Sequence, residues 1–235
     1  MSPLDPGLIA TLSGVAVPTI SAVLYARGLR SRFLHGVAPA NPAGPRMIGP
    51  AFTLRCIPVR EDLRDAVAAG RAPNLHRQFL GAVPPGAVLV AAVGAAHVSV
   101  LGDIIATALH RRGVAGVVMD GGVSDLPIVA GMAFPVFHGG GSAPVPSGAA
   151  TMVVDHSLPI GVANVAIFPD DVMVGDASGV ICIPRAIAAE IAEEAAEKER
   201  LEEWILAEIN AGAPLEGTYP PDAATKARYK AARGG

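Results

Sequence analysis

The apolar positions of the chain fall into short runs whose length and spacing predict alternating strands and helices. Near the centre, residues 87–93 and 115–119 are continuous apolar runs of strand length. Between them, residues 102–112 have apolar side chains at helical spacing, and Gly113 follows where a left-handed residue commonly ends a helix. A strand, a helix and a strand over about thirty residues predict a right-handed βαβ crossover with two parallel strands.

Turn residues delimit shorter elements on both sides of this unit. Residues 19–28 predict a helix that follows Pro18, residues 38–50 a Pro-rich loop, and residues 51–59 a strand. Beyond Asp125 the pattern predicts a short helical turn and then a series of short elements: a strand at 134–137, a Gly-rich loop at 139–142, and strands at 151–154, 162–167, 172–174 and 179–183. We therefore expect an α/β fold whose second half is a folded-over sheet or small barrel rather than a doubly wound sheet.

A long charged helix is predicted at residues 186–210. It has eight Glu against Lys198 and Arg200, a local net charge of −6. Its apolar stripe is broken and consists of Ile187, Ile191, Leu201, Trp204, Ile205 and Ile209. A charge run of this kind is usually a solvated face, and packing on a neighbouring subunit is the alternative.

Composition limits the class of protein. The chain has 235 residues, of which 51 % are hydrophobic and 17 % charged, which excludes disorder and suits one domain over residues 1–235 with a C-terminal helix and tail from about residue 186. A formal charge of −3 gives no overall attraction to nucleic acid. The first ten residues contain Asp5 and two prolines, unlike a signal peptide, so we expect a cytoplasmic protein without a membrane partner. Cys56 and Cys182 lie in apolar, β-branched runs, which favours buried structural thiols over reactive ones.

Two segments are expected to meet at the carboxyl ends of the parallel strands, where open sheets bind ligands. At residues 101–105, Gly102 and the free N–H groups of a helix start favour a small carboxylate. Asp103 is an acidic residue in the first turn of that helix, where the helix dipole favours negative charge. It can therefore have a purely structural role or a functional one. In the second segment, Asp120 is expected to accept hydrogen bonds from loop amides.

Asp125 has two interpretations. It precedes a helical turn, so it suits an N-cap. It also points toward the edge at which Gly102 lies, where a carboxylate beside a carboxylate-binding site needs a cation between them. One protein carboxylate with water and substrate oxygens is a common way to hold Mg²⁺.

Residues 116–125 (Gly-Val-Val-Met-Asp-Gly-Gly-Val-Ser-Asp), with Gly131 and Phe-Pro-Val-Phe at 134–137, resemble the signature of a known family. That family contains the 4-hydroxy-4-methyl-2-oxoglutarate/4-carboxy-4-hydroxy-2-oxoadipate aldolases and the regulator of ribonuclease activity A. Further motifs are similar to those of the family and occur in the same order: residues 48–53, 102–106, 169–172, 175–180 and 216–221.

The resemblance implies a layered α/β/β domain like the phosphohistidine swivelling domains, assembled as trimers or hexamers with sites near subunit interfaces. In the aldolases, four residues at a helix start bind the pyruvyl carboxylate, and an aspartate holds Mg²⁺ or Mn²⁺. By resemblance, Asp125 is the metal ligand, and the carboxylate-binding residues are Gly102, Asp103, Ile104 and Ile105.

The resemblance departs from the family at Ser124, which stands where the aldolases have a substrate-binding arginine. A hydroxyl offers one neutral donor instead of two charge-assisted hydrogen bonds, a loss of about 2–4 kcal/mol. Three explanations are open. Another cation takes over (Arg55, Arg60 or Arg111), the substrate differs, or activity is low.

Two functions follow from the resemblance. The preferred one is a metal-dependent lyase in which the cation chelates a 2-oxo acid, a base aided by Asp103 removes the 4-hydroxyl proton, and the cation stabilises the pyruvate enolate. The same chemistry would decarboxylate oxaloacetate. The alternative is a non-catalytic regulator that binds a ribonuclease, with the Glu-rich helix on a basic surface. Direct RNA binding is not expected with so few aromatic residues.

Overall fold

The computed structural model describes residues 2–94, 98–143 and 150–233. In chain order, the strands are β1 (Ala38–Pro39), β2 (Met47–Pro58), β3 (Val88–Ala92), β4 (Ser99–Leu101), β5 (Gly116–Met119), β6 (Gly122–Val123), β7 (Val136–His138), β8 (Gly140–Gly141), β9 (Thr151–His156), β10 (Ile160–Val162), β11 (Val165–Ile167), β12 (Val172–Asp176) and β13 (Gly179–Ile183). The α-helices are α1 (Pro6–Ser13), α2 (Val17–Ala26), α3 (Glu61–Ala68), α4 (Leu75–Ala82), α5 (Asp103–Arg111), α6 (Leu126–Ala130), α7 (Ala188–Asn210) and α8 (Ala223–Arg233).

The described strands form one large, nearly closed sheet and two small ones. The large sheet has the order β1-β7-β5-β3-β2-β12-β13, with β9 also paired to β2. Strands β2, β3, β5 and β7 are parallel to one another. The pairs β1–β7, β2–β9, β2–β12 and β12–β13 are antiparallel. Phe33, just before β1, bridges to Ile181 in β13 and so brings the two ends of the sheet together. This confirms the mixed α/β class and the folded-over sheet.

The continuous apolar run of β3 reflects burial on both faces of the sheet. Val88 and Val90 pack in a cluster with β5, β7, β12 and the β10–β11 hairpin. Leu89 and Ala91 point the other way, into a cluster that includes α5. Because alternate residues of the strand enter different cores, both sets are apolar, as is typical of parallel strands.

The N-terminal helices and α7 cover β12 and β13 from outside, through Leu12, Ile20, Leu24 and Ile191. Asp176, at the end of β12, accepts the Val17 N–H of α2 at 2.8 Å. None of the described helices is by itself long and apolar enough to cross a bilayer. Helices α1 and α2 meet that length and composition only as a pair, with a bend of 106° between them.

Three predicted elements are wrong. The Gly-rich loop predicted at 139–142 contains strand β8, which pairs with β6. Residues 38–50 are not a loop, since β1 lies within them and β2 begins at Met47. Pro50 fits in β2 because no neighbouring strand needs its N–H. Ala51 donates its N–H to the Asp171 carbonyl beside β12, so the nitrogen of Pro50 faces the other side of β2. On that side, the pairing with β3 begins only at Ala51. Residues 162–167 are not one strand but parts of the β10–β11 hairpin, which turns at Ala163 and Asn164 with positive φ at both.

The other predicted elements are close to those observed. The predicted helix at 186–210 is α7 preceded by a 3₁₀ turn, Arg185–Ile187. Both cysteines are free, with Cys182 buried and Cys56 half-buried. Burial raises the pKa of the Cys56 thiol to about 12 and raises the pKa of Cys182 further, which agrees with structural rather than reactive thiols.

Candidate functional site

A small parallel sheet joins the two segments that the sequence predicts at the strand ends. It consists of β4, β6 and β8, and β4 lies directly before α5. The Ser124 N–H donates to the Leu101 carbonyl and to the Ser99 hydroxyl, each at 3.0 Å. The start of α5 and the loop at Ser124 and Asp125 are therefore adjacent, as predicted, although the strands that join them were not.

Gly102 brings the backbone of α5 very close to this loop. A Cβ atom on Gly102 would lie 2.5 Å from Ser124 Oγ and 2.8 Å from Asp125 Oδ2. Its φ of −132° and ψ of −169° are accessible to any residue, so space rather than backbone conformation requires glycine here. Only a residue without a side chain allows this approach of a helix start to a carboxylate.

The Asp125 side chain does not cap α6. Asp125 is the N-cap residue by position, and its carbonyl accepts the N–H groups of Ile128 and Val129 at 2.9 and 3.0 Å. Its backbone is left-handed, with φ 54° and ψ 33°. The exposed carboxylate accepts no hydrogen bond from any described residue. It is thus left free to bind a ligand at the start of α5.

Asp103 occupies one of the donors expected to bind a carboxylate. Its Oδ1 accepts the N–H of Ile104 at 2.7 Å, so this donor is engaged within the first turn of α5. Ile104 itself is 81 % exposed. The remaining donors there are the other unpaired N–H groups of the first turn.

All six predicted site residues line one groove of about 830 Å³. Its second wall is α4, a helix not predicted from the sequence, which contributes His76 and Arg77 together with the N-cap residue Asn74. The signal for this helix was Asn74, whose side chain accepts the Arg77 N–H at 3.1 Å as an N-cap does. Nothing in the local sequence places α4 opposite α5.

The three arginines considered as replacement cations do not line the groove. Arg60 forms a bidentate pair with Asp62, and Arg55 is on the exposed part of β2. Arg111 is in the last turn of α5, about 12 Å along the helix from its start.

Two other arginines line the groove instead, and they differ in their partners. The Arg112 guanidinium donates to the carbonyls of Leu80, Gly81 and Val83 at 2.6–2.9 Å and so ties the carboxyl end of α5 to that of α4. The Arg77 guanidinium makes no ion pair or hydrogen bond with a described residue. Among the described residues, the groove is therefore lined by the engaged guanidinium of Arg112 and the unpaired guanidinium of Arg77, together with the carboxylates of Asp103 and Asp125.

His76 is half-buried on the α4 wall, and its Nε2 is buried without a hydrogen-bond partner among the described residues. Burial lowers the pKa of its imidazole, with the charge of Arg77 acting in the same direction, so the ring is predominantly neutral at pH 7. Below the ordinary histidine pKa of about 6.5, the unfolded chain binds a proton at His76 that the folded protein resists.

Acidification should therefore destabilise the wild-type protein more than a His76→Gln variant. We expect the free energy of unfolding to fall between pH 7.5 and pH 5.0 in both, with a smaller fall in the variant, as measured by urea denaturation. Equal falls would contradict the assignment of a depressed pKa to His76.

Asp120 has the structural role that the sequence predicts. Its Oδ1 accepts the N–H groups of Val93 and Gly94 at 2.7 and 2.9 Å, where the chain leaves β3.

The Asp120→Ala variant should lose about 2 kcal/mol of unfolding free energy, because two amides lose a charged acceptor. Asp120→Asn keeps a side-chain oxygen and should lose less. Chemical denaturation of both variants measures this order, and an Asn variant as unstable as the Ala variant would contradict it.

The profile of one protein family, described as RraA-like (Aldolase/RraA), matches residues 17–182. The chain belongs to the RraA-like family. The match spans every residue of the groove. A Halalkalibacterium halodurans protein named "Putative 4-hydroxy-4-methyl-2-oxoglutarate aldolase" is 27 % identical over 163 residues, which are 69 % of this chain and 71 % of that protein. Protein DlpA of Legionella pneumophila is 28 % identical over 90 % of this chain, which spans only 33 % of DlpA.

Solved structures agree with the RraA-like assignment. Streptomyces coelicolor RraAS2, described as an unusual member of the RNase ES inhibitor RraA protein family, is 32 % identical with a TM-score of 0.74, over 87 % of this chain and 98 % of that one. An uncharacterized protein of Pseudomonas syringae is 25 % identical with a TM-score of 0.78, over 93 % and 100 % of the two chains. The predicted fold and family are thus confirmed.

Proposed function

We propose that this protein is a divalent-metal-dependent lyase that releases pyruvate from a 2-oxo acid by aldol cleavage or decarboxylation. The observation that carries the proposal is the Asp125 carboxylate, which has no partner among the described residues and faces the start of α5 across Gly102. Similarity to a protein named as an aldolase supports the same reaction class.

The residues present fit a hard divalent cation. Oxygen donors from Asp125, Asp103 and Ser124 line one groove, and Mg²⁺ or Mn²⁺ prefers such ligands. The described residues contain no group of three or more His, Cys, Asp or Glu side chains that could hold a metal. We therefore propose Asp125 as the principal protein ligand, with water and substrate oxygens completing the shell. When bound, the cation polarises the 2-oxo group and offsets the negative charges in the groove.

The chain's own residues supply binding and proton transfer. Free N–H groups at the start of α5 bind the substrate carboxylate, with the helix dipole in the favourable direction. The Ser124 hydroxyl makes only a long, weak hydrogen bond to the Leu101 carbonyl, at 3.5 Å. It therefore supplies one neutral hydrogen bond to the substrate.

Asp103 is proposed as the base. Its Oδ1 is held by the Ile104 N–H, which leaves Oδ2 to accept the proton of the substrate's 4-hydroxyl. As that proton leaves, C4 becomes a carbonyl carbon and the C3–C4 bond breaks. The electron pair passes to C3 and the 2-oxo oxygen as the pyruvate enolate, and the proton held on Asp103 Oδ2 is then returned to C3, which gives pyruvate and restores the base.

Pyruvate release tests the proposal. Purified protein is treated with EDTA, dialysed, and assayed with 4-hydroxy-4-methyl-2-oxoglutarate and with oxaloacetate, and pyruvate is measured by coupling to lactate dehydrogenase. We expect release above the no-protein rate only when Mg²⁺ or Mn²⁺ is restored. A rate equal to that of the metal ion alone on both substrates would refute lyase activity toward them.

A non-catalytic regulator is the second candidate, favoured by the 32 % identity to RraAS2 and by Ser124 where the aldolases have arginine. It predicts a stable complex with purified RNase ES, lower RNA cleavage in that complex, and no metal-dependent pyruvate release. Unchanged RNA cleavage at saturating protein would exclude this candidate.

A further inference from the structure

The groove is larger than a pyruvyl group needs. Its volume of about 830 Å³ lies in the range of pockets that hold much larger ligands. If the carboxylate and 2-oxo oxygens lie at the start of α5, the rest of the substrate extends along the groove toward α4. The α4 wall then determines which substituents bind.

Arg77 is the cationic group on that wall. It belongs to the first turn of α4, and capping by Asn74 fixes the backbone at this position. Its guanidinium forms no hydrogen bond or ion pair with the residues that the structure describes. The Arg112 guanidinium, in contrast, donates hydrogen bonds to three backbone carbonyls. Arg77 is also exposed, so the side chain is free to meet a ligand in solution.

We infer that Arg77 binds the distal carboxylate of a 2-oxo dicarboxylate, supplying from α4 the guanidinium that Ser124 does not provide. This rests on the proposed function for the position of the first carboxylate. A planar guanidinium binds a carboxylate through two charge-assisted hydrogen bonds, and removal of such a contact typically costs about 10- to 100-fold in affinity. Arg77 is thus assigned as the residue that makes the protein prefer dicarboxylates to monocarboxylates.

The test compares binding of two probes that lack a cleavable 4-hydroxyl group. 2-Oxoglutarate has a distal carboxylate and 2-oxobutyrate does not, so the ratio of their dissociation constants measures recognition of that group. Isothermal titration calorimetry with Mg²⁺ present is run on wild type, Arg77→Gln, Arg77→Lys and Arg111→Gln. Arg111 is the matched control because it is an exposed arginine on a neighbouring helix that does not line the groove.

We expect wild type and Arg111→Gln to bind 2-oxoglutarate about 10-fold or more tightly than 2-oxobutyrate. Arg77→Gln should abolish the difference by weakening 2-oxoglutarate alone, with 2-oxobutyrate unchanged within about twofold, and Arg77→Lys should retain part of it. The inference is overturned if Arg77→Gln weakens both probes equally, if it weakens neither, or if wild type binds neither.

Failure of the lyase proposal has a separate signature. Arg77-dependent preference for 2-oxoglutarate without pyruvate release from any substrate would leave Arg77 as a dicarboxylate-binding residue in a protein that is not a lyase. Pyruvate release that is unaffected by Arg77→Gln in both KM and kcat would retain the lyase and remove Arg77 from the site.

Discussion

Replacing Asp125 with asparagine should lower metal-dependent pyruvate release by about 100-fold or more, because the variant loses the charged ligand proposed to hold the cation. Asparagine is the informative replacement, since it tolerates the left-handed backbone observed at this position as well as aspartate does. The free energy of unfolding should change by less than about 0.5 kcal/mol, because the carboxylate accepts no hydrogen bond from the part of the chain that the structure describes. Steady-state kinetics and urea denaturation measure the two effects.

Glu193→Gln is the matched control, since Glu193 is an exposed carboxylate on α7 remote in sequence from the groove. It should leave the rate of pyruvate release unchanged. An Asp125→Asn variant that is as active as this control would remove the metal-ligand role. A variant that is instead strongly destabilised would indicate that Asp125 stabilises its own loop.

Gly102→Ala should also reduce kcat/KM strongly, by about 10- to 100-fold. The added methyl group would lie 2.5 Å from Ser124 Oγ and 2.8 Å from Asp125 Oδ2, so both side chains must move. Because those atoms are the ends of side chains and the backbone conformation suits alanine, the fold should tolerate the change. The expected result is therefore a site defect with nearly normal stability, measured by kinetics and thermal unfolding.

Gly161→Ala is the control for the glycine substitution. A Cβ atom at Gly161 in β10 would meet no atom within 4 Å. Normal kinetics in Gly161→Ala and in Gly102→Ala alike would contradict the view that the close approach of α5 to Asp125 matters for the reaction.

The central βαβ unit was predictable because its signals are local. The apolar runs of β3 and β5 are continuous because both faces are buried, and Gly113 ends α5 with a φ of 77°. The β10–β11 hairpin was missed because its turn is Ala163-Asn164 rather than the Asn-Gly or Asp-Gly pair that marks such turns.

The candidate site was only half predictable. Gly102 and Asp125 follow strands that belong to one unit, so their meeting follows from topology. Arg77 and His76 belong to α4, and only tertiary packing, including the three hydrogen bonds of Arg112, brings that helix beside α5. For the same reason, none of the three arginines considered from the sequence, Arg55, Arg60 and Arg111, lines the groove.

The most direct test of the account is a crystal structure of the protein grown with Mn²⁺ and 2-oxobutyrate, with data collected at a wavelength at which manganese scatters anomalously. The account predicts an anomalous peak at the Asp125 carboxylate, with the ligand's carboxylate at the N–H groups of α5. A groove without manganese and with Asp125 hydrogen-bonded to its own loop would contradict it.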